Sequence, residues 1–351
     1  MTPRPLIYGA NGYTGEMIAR AAAAQGLSPV LAGRSEAPVL ALAKELGCEF
    51  RVFDLADPRI LAEALTGCRV LIHCAGPFSA TAAPMLAACI AARVHYTDIT
   101  GEIDVFESAF RQHAAARDAG ILVCPGVGFD VVPTDCVALT LARALPDATR
   151  LALGFDSRSG LSRGTASTSV EGLGHGSRVR ENGEIRRIPL GSRARSIDFG
   201  AGAKLATAIP WGDVSTAYRT TGIGNVEVYV PVSPSALARL RRLGRLGWLL
   251  RRRPAQAFLK WRIRKRAAGP TAAEREKTPV HVWGEAVNEA GRTITARVRV
   301  PNAYTLTTDA AVAISRRLLD GDVPAGFTTP ARLMGSEFVT RLPGATQITL
   351  G

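Results

Sequence analysis

Gly9-Ala10-Asn11-Gly12-Tyr13-Thr14-Gly15 is the stretch with the most direct chemical consequence. It follows an apolar run, Leu6-Ile7-Tyr8, and precedes a helical pattern that closes at Gly26. A glycine-rich turn between a strand and a helix presents backbone N–H groups at a helix N-terminus, where they bind phosphate oxygens. Gly9 permits the tight turn, Gly12 lets backbone amides reach a diphosphate, and Gly15 lets the helix pack closely. With Asn11, Tyr13 and Thr14 these residues form a candidate cradle for a dinucleotide. The spacing is G-x-x-G-x-x-G, and it gains weight from opening an alternating strand–helix run.

The second strand discriminates between dinucleotides. It ends Gly33-Arg34-Ser35, with no acid where an NAD site usually meets the ribose 2′-OH. Arg34 can pair bidentately with a 2′-phosphate and Ser35 can donate a further bond, so the expected cofactor is NADP. Asp54, after the third strand, is placed to accept from the adenine amino group; Asp57-Pro58 already accounts for the next helix start. Ala75-Gly76-Pro77-Phe78, at the end of the fourth strand, is expected beneath the nicotinamide ribose.

Three side chains are candidates for moving a proton: Asp98 after the fifth strand, Asp130 after the sixth, and Tyr304. Glu102 shares the loop of Asp98. A carboxylate in a glycine-rich loop serves equally well as an acceptor for backbone amides, and both roles stand for Asp98 and Asp130. The five histidines have no metal-ligand spacing, so no metal is expected.

The elements that must position these residues form a regular series. Short apolar strands near 6–8, 29–32, 50–53, 70–74, 94–97 and 121–124 alternate with helices at 16–25, 39–46, after 57, 82–92 and 104–119. The strands show little internal alternation, which implies an α/β fold with a Rossmann-type, doubly wound parallel sheet covered on both faces. After Asp135 the texture changes. Residues 292–300 alternate apolar and polar and pair with 280–287 as an antiparallel hairpin, and 308–319 is helical. The expected organisation is a dinucleotide-binding domain over 1–135 and a second α+β domain over 136–304 containing an antiparallel sheet. A C-terminal segment, 305–351, is expected to return to the first.

The net charge of +13 is concentrated. Twelve arginines and lysines and no acid lie between Glu227 and Glu274, so the rest of the chain is near neutral. The basic insert, 237–268, interleaves Trp248, Phe258 and Trp261 with this charge. That composition suits an anionic membrane surface or an acidic carrier protein; a solvated helical excursion is the plainer reading. No nucleic-acid recognition motif accompanies the charge. No apolar stretch approaches a spanning helix, and the six cysteines lack C-x-x-C spacing. A cytoplasmic protein is expected, with a peripheral membrane position left open.

The glycine loop, Ala32-Gly33-Arg34-Ser35, Ala75-Gly76-Pro77-Phe78, the run from Tyr96 to Glu102 and the run from Pro125 to Asp135 together resemble the saccharopine dehydrogenase-like oxidoreductases. More narrowly they resemble the branch containing trans-acting enoyl reductases of polyketide lipids. The resemblance implies NADPH, hydride transfer and a small hydrophobic or carrier-bound substrate. Gly128-Phe129-Asp130 departs from the saccharopine-forming enzymes, which sets enoyl reduction ahead of amino-acid or imine chemistry. A non-catalytic NADP-binding protein on a membrane is the remaining reading. The arginine assignment carries its own test: Arg34→Ala weakens NADPH binding far more than NADH binding in calorimetry, and equal losses refute it.

Overall fold

A computed structural model describes residues 3–158, 176–245 and 269–351. These fall into two compact units: residues 1–132 with 304–334, and residues 133–303 with 335–351. Most of the basic insert, including Trp248, Phe258 and Trp261, lies outside the described residues.

The first unit is built on a seven-stranded sheet. Its strands are β1 (Pro5–Tyr8), β2 (Val30–Gly33), β3 (Phe50–Val52), β4 (Val70–His73), β5 (His95–Asp98), β6 (Leu122–Cys124) and β15 (Gly326–Phe327). The order is β15-β6-β5-β4-β1-β2-β3, with every pair parallel. β1, β2, β4 and β5 are buried along their whole length, as expected of strands covered on both faces. The strand order reverses between β1 and β4, the place where ligands bind in such sheets.

The helices of this unit are α1 (Tyr13–Ala24), α2 (Glu36–Leu46), α3 (Pro58–Ala64), α4 (Phe78–Ala92), α5 (Ile103–Arg111) and α6 (His113–Asp118). Asp57 caps α3 as its sequence suggests, accepting from the Arg59 N–H at 2.8 Å. α1 begins at Tyr13, three residues ahead of the apolar periodicity. α4 begins at Phe78 rather than 82, for a non-local reason described below. The helix expected over 104–119 is two helices, because Gln112 leaves helical values at φ −87°, ψ 6°.

The second unit holds a nine-stranded mixed sheet. Helix α7 (Val132–Ala144) leads into β7 (Ala148–Asp156). There follow β8 (Ser177–Glu181), β9 (Glu184–Ile188), β10 (Ala194–Asp198), β11 (Ala203–Ala208) and β12 (Asn225–Pro231). The sheet is completed by β13 (Val280–Asn288), β14 (Thr293–Val300) and β16 (Thr349–Leu350), running β10-β11-β12-β7-β13-β14-β16, with β8 and β9 branching from β12. Only β12–β7 is parallel among these pairings. The hairpin read from alternation is β13–β14, paired over eight positions from Val280↔Val300 to Val287↔Thr293. Between β11 and β12 lies α8 (Asp213–Thr221).

α9 (Pro234–Arg245) opens the basic insert. It buries Leu237, exposes Leu243 and sends the Arg241 Nε–H to the Gly191 carbonyl at 2.9 Å. No helix among the described residues is long and apolar enough to cross a membrane.

The chain returns to the first unit through α11 (Ala303–Asp320), which follows the short α10 (Ala272–Glu276). β15 then extends the parallel sheet beside β6. Residues 335–351 belong to the second unit, where β16 pairs with β14, whereas the sequence expectation carried all of 305–351 to the first.

Gly15 shows how tightly the first turn is built. A Cβ there falls inside contact distance of the Gly9 carbonyl oxygen, so the glycine serves the loop itself more than helix–sheet packing. Gly15→Ala is expected to destabilise the protein by about 1–3 kcal/mol through overpacking; chemical denaturation measures it, and an unchanged midpoint contradicts this packing.

Candidate functional site

The site is assembled from loops at the carboxyl ends of β1, β2, β4, β5 and β6, all in the first unit. In the first loop Gly9 adopts φ +82°, a left-handed conformation that favours glycine. The Gly12 N–H donates to the Gly9 carbonyl at 2.9 Å, and the first helical bond runs from the Glu16 N–H to the Gly12 carbonyl at 2.8 Å. Helix geometry leaves the Thr14 and Gly15 amides ahead of that ladder, at the positive end of the α1 dipole. Asn11 and Gly12 are exposed beside them. A side chain at Gly33 would meet Asn11 Oδ1 at 2.9 Å, so Asn11 lies across the end of β2. This arrangement fits a diphosphate.

Arg34 and Ser35 are exposed at the start of α2. Arg34 makes no ion pair among the described residues, and its charge partly offsets the burial that raises the Tyr8 phenol. Ser35 occupies the N-cap position of α2 without making a side-chain capping bond. A guanidinium, a hydroxyl and a helix N-terminus thus stand together, a donor set that fits a 2′-phosphate. Asp54 is exposed and partly committed: its Oδ1 accepts from the Ala56 N–H at 2.9 Å, an Asx turn.

Ala75-Gly76-Pro77-Phe78 is held from several sides. At Gly9 an added Cβ would lie 2.9 Å from the Ala75 nitrogen, so the first and fourth loops abut. The Glu102 carboxylate, from the β5 loop, accepts from the Phe78 N–H at 2.9 Å and the Ser79 N–H at 2.8 Å. It is the non-local cap that lets α4 start at Phe78, where no local side chain caps it. The Thr81 hydroxyl reaches the Ala75 carbonyl at 2.7 Å and the Pro77 carbonyl at 3.1 Å.

Asp98 and Asp130, both proposed from sequence as proton carriers, have different surroundings. Asp98 is fully buried, and its Oδ1 accepts from the Thr100 N–H at 3.0 Å and the Gly126 N–H at 2.9 Å. Its Oδ2 accepts from the Tyr96 hydroxyl at 2.7 Å. Burial raises its pKa to about 6 despite these three donors. Asp98 is a clasp between the β5 and β6 loops, and of its two sequence roles the amide acceptor is the one its contacts describe.

Asp130 lies against the same β5 loop, since a Cβ on Gly101 would come within 2.5 Å of its Oδ2. Burial, then the neighbouring Glu102 charge, pushes its carboxyl up to about 7. A group of that pKa is half-protonated near neutral pH, the condition for efficient proton transfer. The Asp130 loop is anchored from α11: Thr307 Oγ1 accepts from the Phe129 N–H at 2.9 Å. One turn earlier, Tyr304 is buried and packs edge-on to Tyr13 of the first loop, ring centroids 5.0 Å apart. Glu102, Thr81 and Thr307 acquire no specific role from spacing alone. The available signal is a hydroxyl in an otherwise apolar stretch, as Thr81 is, with Ser79, within Phe78–Ala92.

A parallel sheet in this order, with a diphosphate-shaped loop and a cationic 2′-phosphate corner, defines an NADP-binding domain of the Rossmann type. Residues 6–124 match the family model of the saccharopine dehydrogenase NADP binding domain, and they constitute such a domain. A putative trans-acting enoyl reductase of Mycobacterium tuberculosis is 31% identical over 191 residues, 49% of this chain and 45% of that protein. The saccharopine dehydrogenase-like oxidoreductase of Homo sapiens is 29% identical over 150 residues, 37% of this chain and 35% of that protein. The chain thus spans less than half the length of either relative. The apo saccharopine dehydrogenase (L-Glu forming) of Saccharomyces cerevisiae shares the fold, with TM-score 0.68 at 13% identity over 99% of this chain and 100% of that one.

The Asp98 clasp yields a stability test. Asp98→Ala leaves two amides and a phenol without their buried acceptor and is expected to cost about 3 kcal/mol or more. Asp98→Asn, which keeps one acceptor oxygen, costs less. Urea denaturation orders the two, and equal losses contradict the clasp.

Proposed function

We propose that this protein is an NADPH-dependent reductase of a carbon–carbon double bond in a hydrophobic, enoyl-type lipid or polyketide substrate. Asp130 is its proton carrier. The observation that supports this most is a carboxyl raised to about 7 on the β6 loop, seated against the β5 loop whose Glu102 binds the segment assigned to the nicotinamide ribose. The name of the Mycobacterium tuberculosis relative favours the enoyl class.

Bound in this site, NADPH supplies a hydride to one carbon of the double bond. The protein's own work is to orient the bond and to place one proton on the other carbon, which carries the developing negative charge. Asp130 holds that proton in its neutral form, and Glu102 keeps it there by disfavouring a second charge nearby. Gly128 and Thr307 fix the loop: a Cβ on Gly128 would strike Thr307 Cγ2 at 2.8 Å, so the backbone is seated directly on α11. Tyr304 and Tyr13 wall the diphosphate side, and Asp98 holds the β5 and β6 loops in register.

The test follows NADPH oxidation with a long-chain 2-enoyl thioester. Asp130→Asn is expected to lower kcat on the order of a hundredfold or more while NADPH binding is kept. The acid must be protonated to act, so the wild-type rate falls as pH rises through about 7, and the variant loses that limb. Glutamate- or lysine-linked NADP reduction without enoyl turnover replaces this reading with imine chemistry. Tight NADPH binding without turnover of either class replaces it with a binding role.

A further inference from the structure

His73 closes an apolar strand as its last residue and is fully buried, and Thr81 stands in the first turns of α4. His73 Nε2 lies 2.9 Å from Thr81 Oγ1. Carbonyl oxygens only accept, so the single hydroxyl hydrogen of Thr81 points at the Ala75 and Pro77 carbonyls. The proton in the His73–Thr81 bond must then sit on Nε2, and Nδ1 is bare, with no partner among the described residues. Burial keeps the ring neutral by pushing its pKa down to about 3. A threonine hydroxyl bonding the carbonyl four residues back is common in helices. The shorter bond here reaches Ala75, six residues back and outside the helix.

The direction of these bonds fixes the peptides. In a trans peptide the C=O and the next N–H point opposite ways. Ala75 turns its carbonyl to Thr81, so the Gly76 N–H points away from Thr81. The Pro77–Phe78 peptide follows the same rule, for Pro77 faces Thr81 while the Phe78 N–H reaches Glu102. Gly76 is exposed, and its N–H has no hydrogen-bond partner among the described residues. It is a directed donor one loop away from the diphosphate amides, at a spacing set by the Gly9–Ala75 contact.

We propose that Thr81, oriented by His73, is a positioning residue that aims the Gly76 N–H at an acceptor oxygen of the nicotinamide riboside half of the cofactor. This rests on the assignment of the 75–78 loop to that half. Thr81 does not touch the cofactor; it acts through the Ala75 peptide.

Calorimetry on the full chain separates the halves with two probes, NADPH and adenosine 2′,5′-bisphosphate, which lacks the nicotinamide riboside. Thr81→Val keeps the shape and removes the hydroxyl; it is expected to weaken NADPH about tenfold. It leaves the bisphosphate unchanged, and Thr81→Ser restores NADPH. Arg34→Ala weakens both probes. Thr81→Ala gives the valine pattern should valine fail to fold, with thermal unfolding as the control. The proposal is overturned if the folded variants bind NADPH as the wild type does, or lose both probes equally. If wild type binds NADPH no tighter than the bisphosphate, the loop assignment itself fails and the proposal with it.

Discussion

Strand ends in a parallel sheet leave backbone N–H groups that the ladder no longer pairs, and here two carboxylates collect them. Asp98 takes the Thr100 and Gly126 amides; Glu102 takes the Phe78 and Ser79 amides. Each bond set crosses from one loop to the next, so β4, β5 and β6 end in a single connected rim. Without those acceptors the amides at the start of α4 and in the β6 loop have nothing local to bond, and unpaired buried groups of this kind are costly. The position of Asp130 depends on that rim, because its carboxyl fills the space beside the Gly101 α-carbon.

The same rim accounts for the unusual acidities. Carboxylates drawn into a dry loop junction lose hydration faster than amide bonds replace it. Asp98 reaches only about 6 because three donors oppose its burial, whereas Asp130, with the Glu102 charge close by, reaches about 7. Two aspartates of identical chemistry thereby differ: one is committed to holding loops together, and the other is the proton carrier proposed above. The division follows from counting donors around each one.

Much of this was legible in the sequence. The glycine loop, the arginine after β2, the Asp57 cap and the β13–β14 hairpin depend on neighbours within a few residues, and local patterns encode such features well. What escaped is held by distant partners. α4 starts early because of Glu102, twenty-four residues from Phe78, and the Asp130 loop is seated by Thr307, 178 residues from Phe129. β15 and β16 are two residues each, too short for any periodicity to announce. Residues 335–351 join the second unit through one of those strands and through distant bonds such as Arg143 to Ser336 and Arg299 to Thr346.

The interrupted layout of the first unit has a consequence for synthesis. Its sheet lacks β15, and its Asp130 loop lacks Thr307, until the chain has been made beyond residue 327. On the ribosome β6 therefore waits as an unprotected border strand while the second unit emerges, and such borders invite pairing with other nascent chains. Fragments that stop near residue 135 inherit the same open border permanently, so the dinucleotide half is poorly suited to life as an excised module.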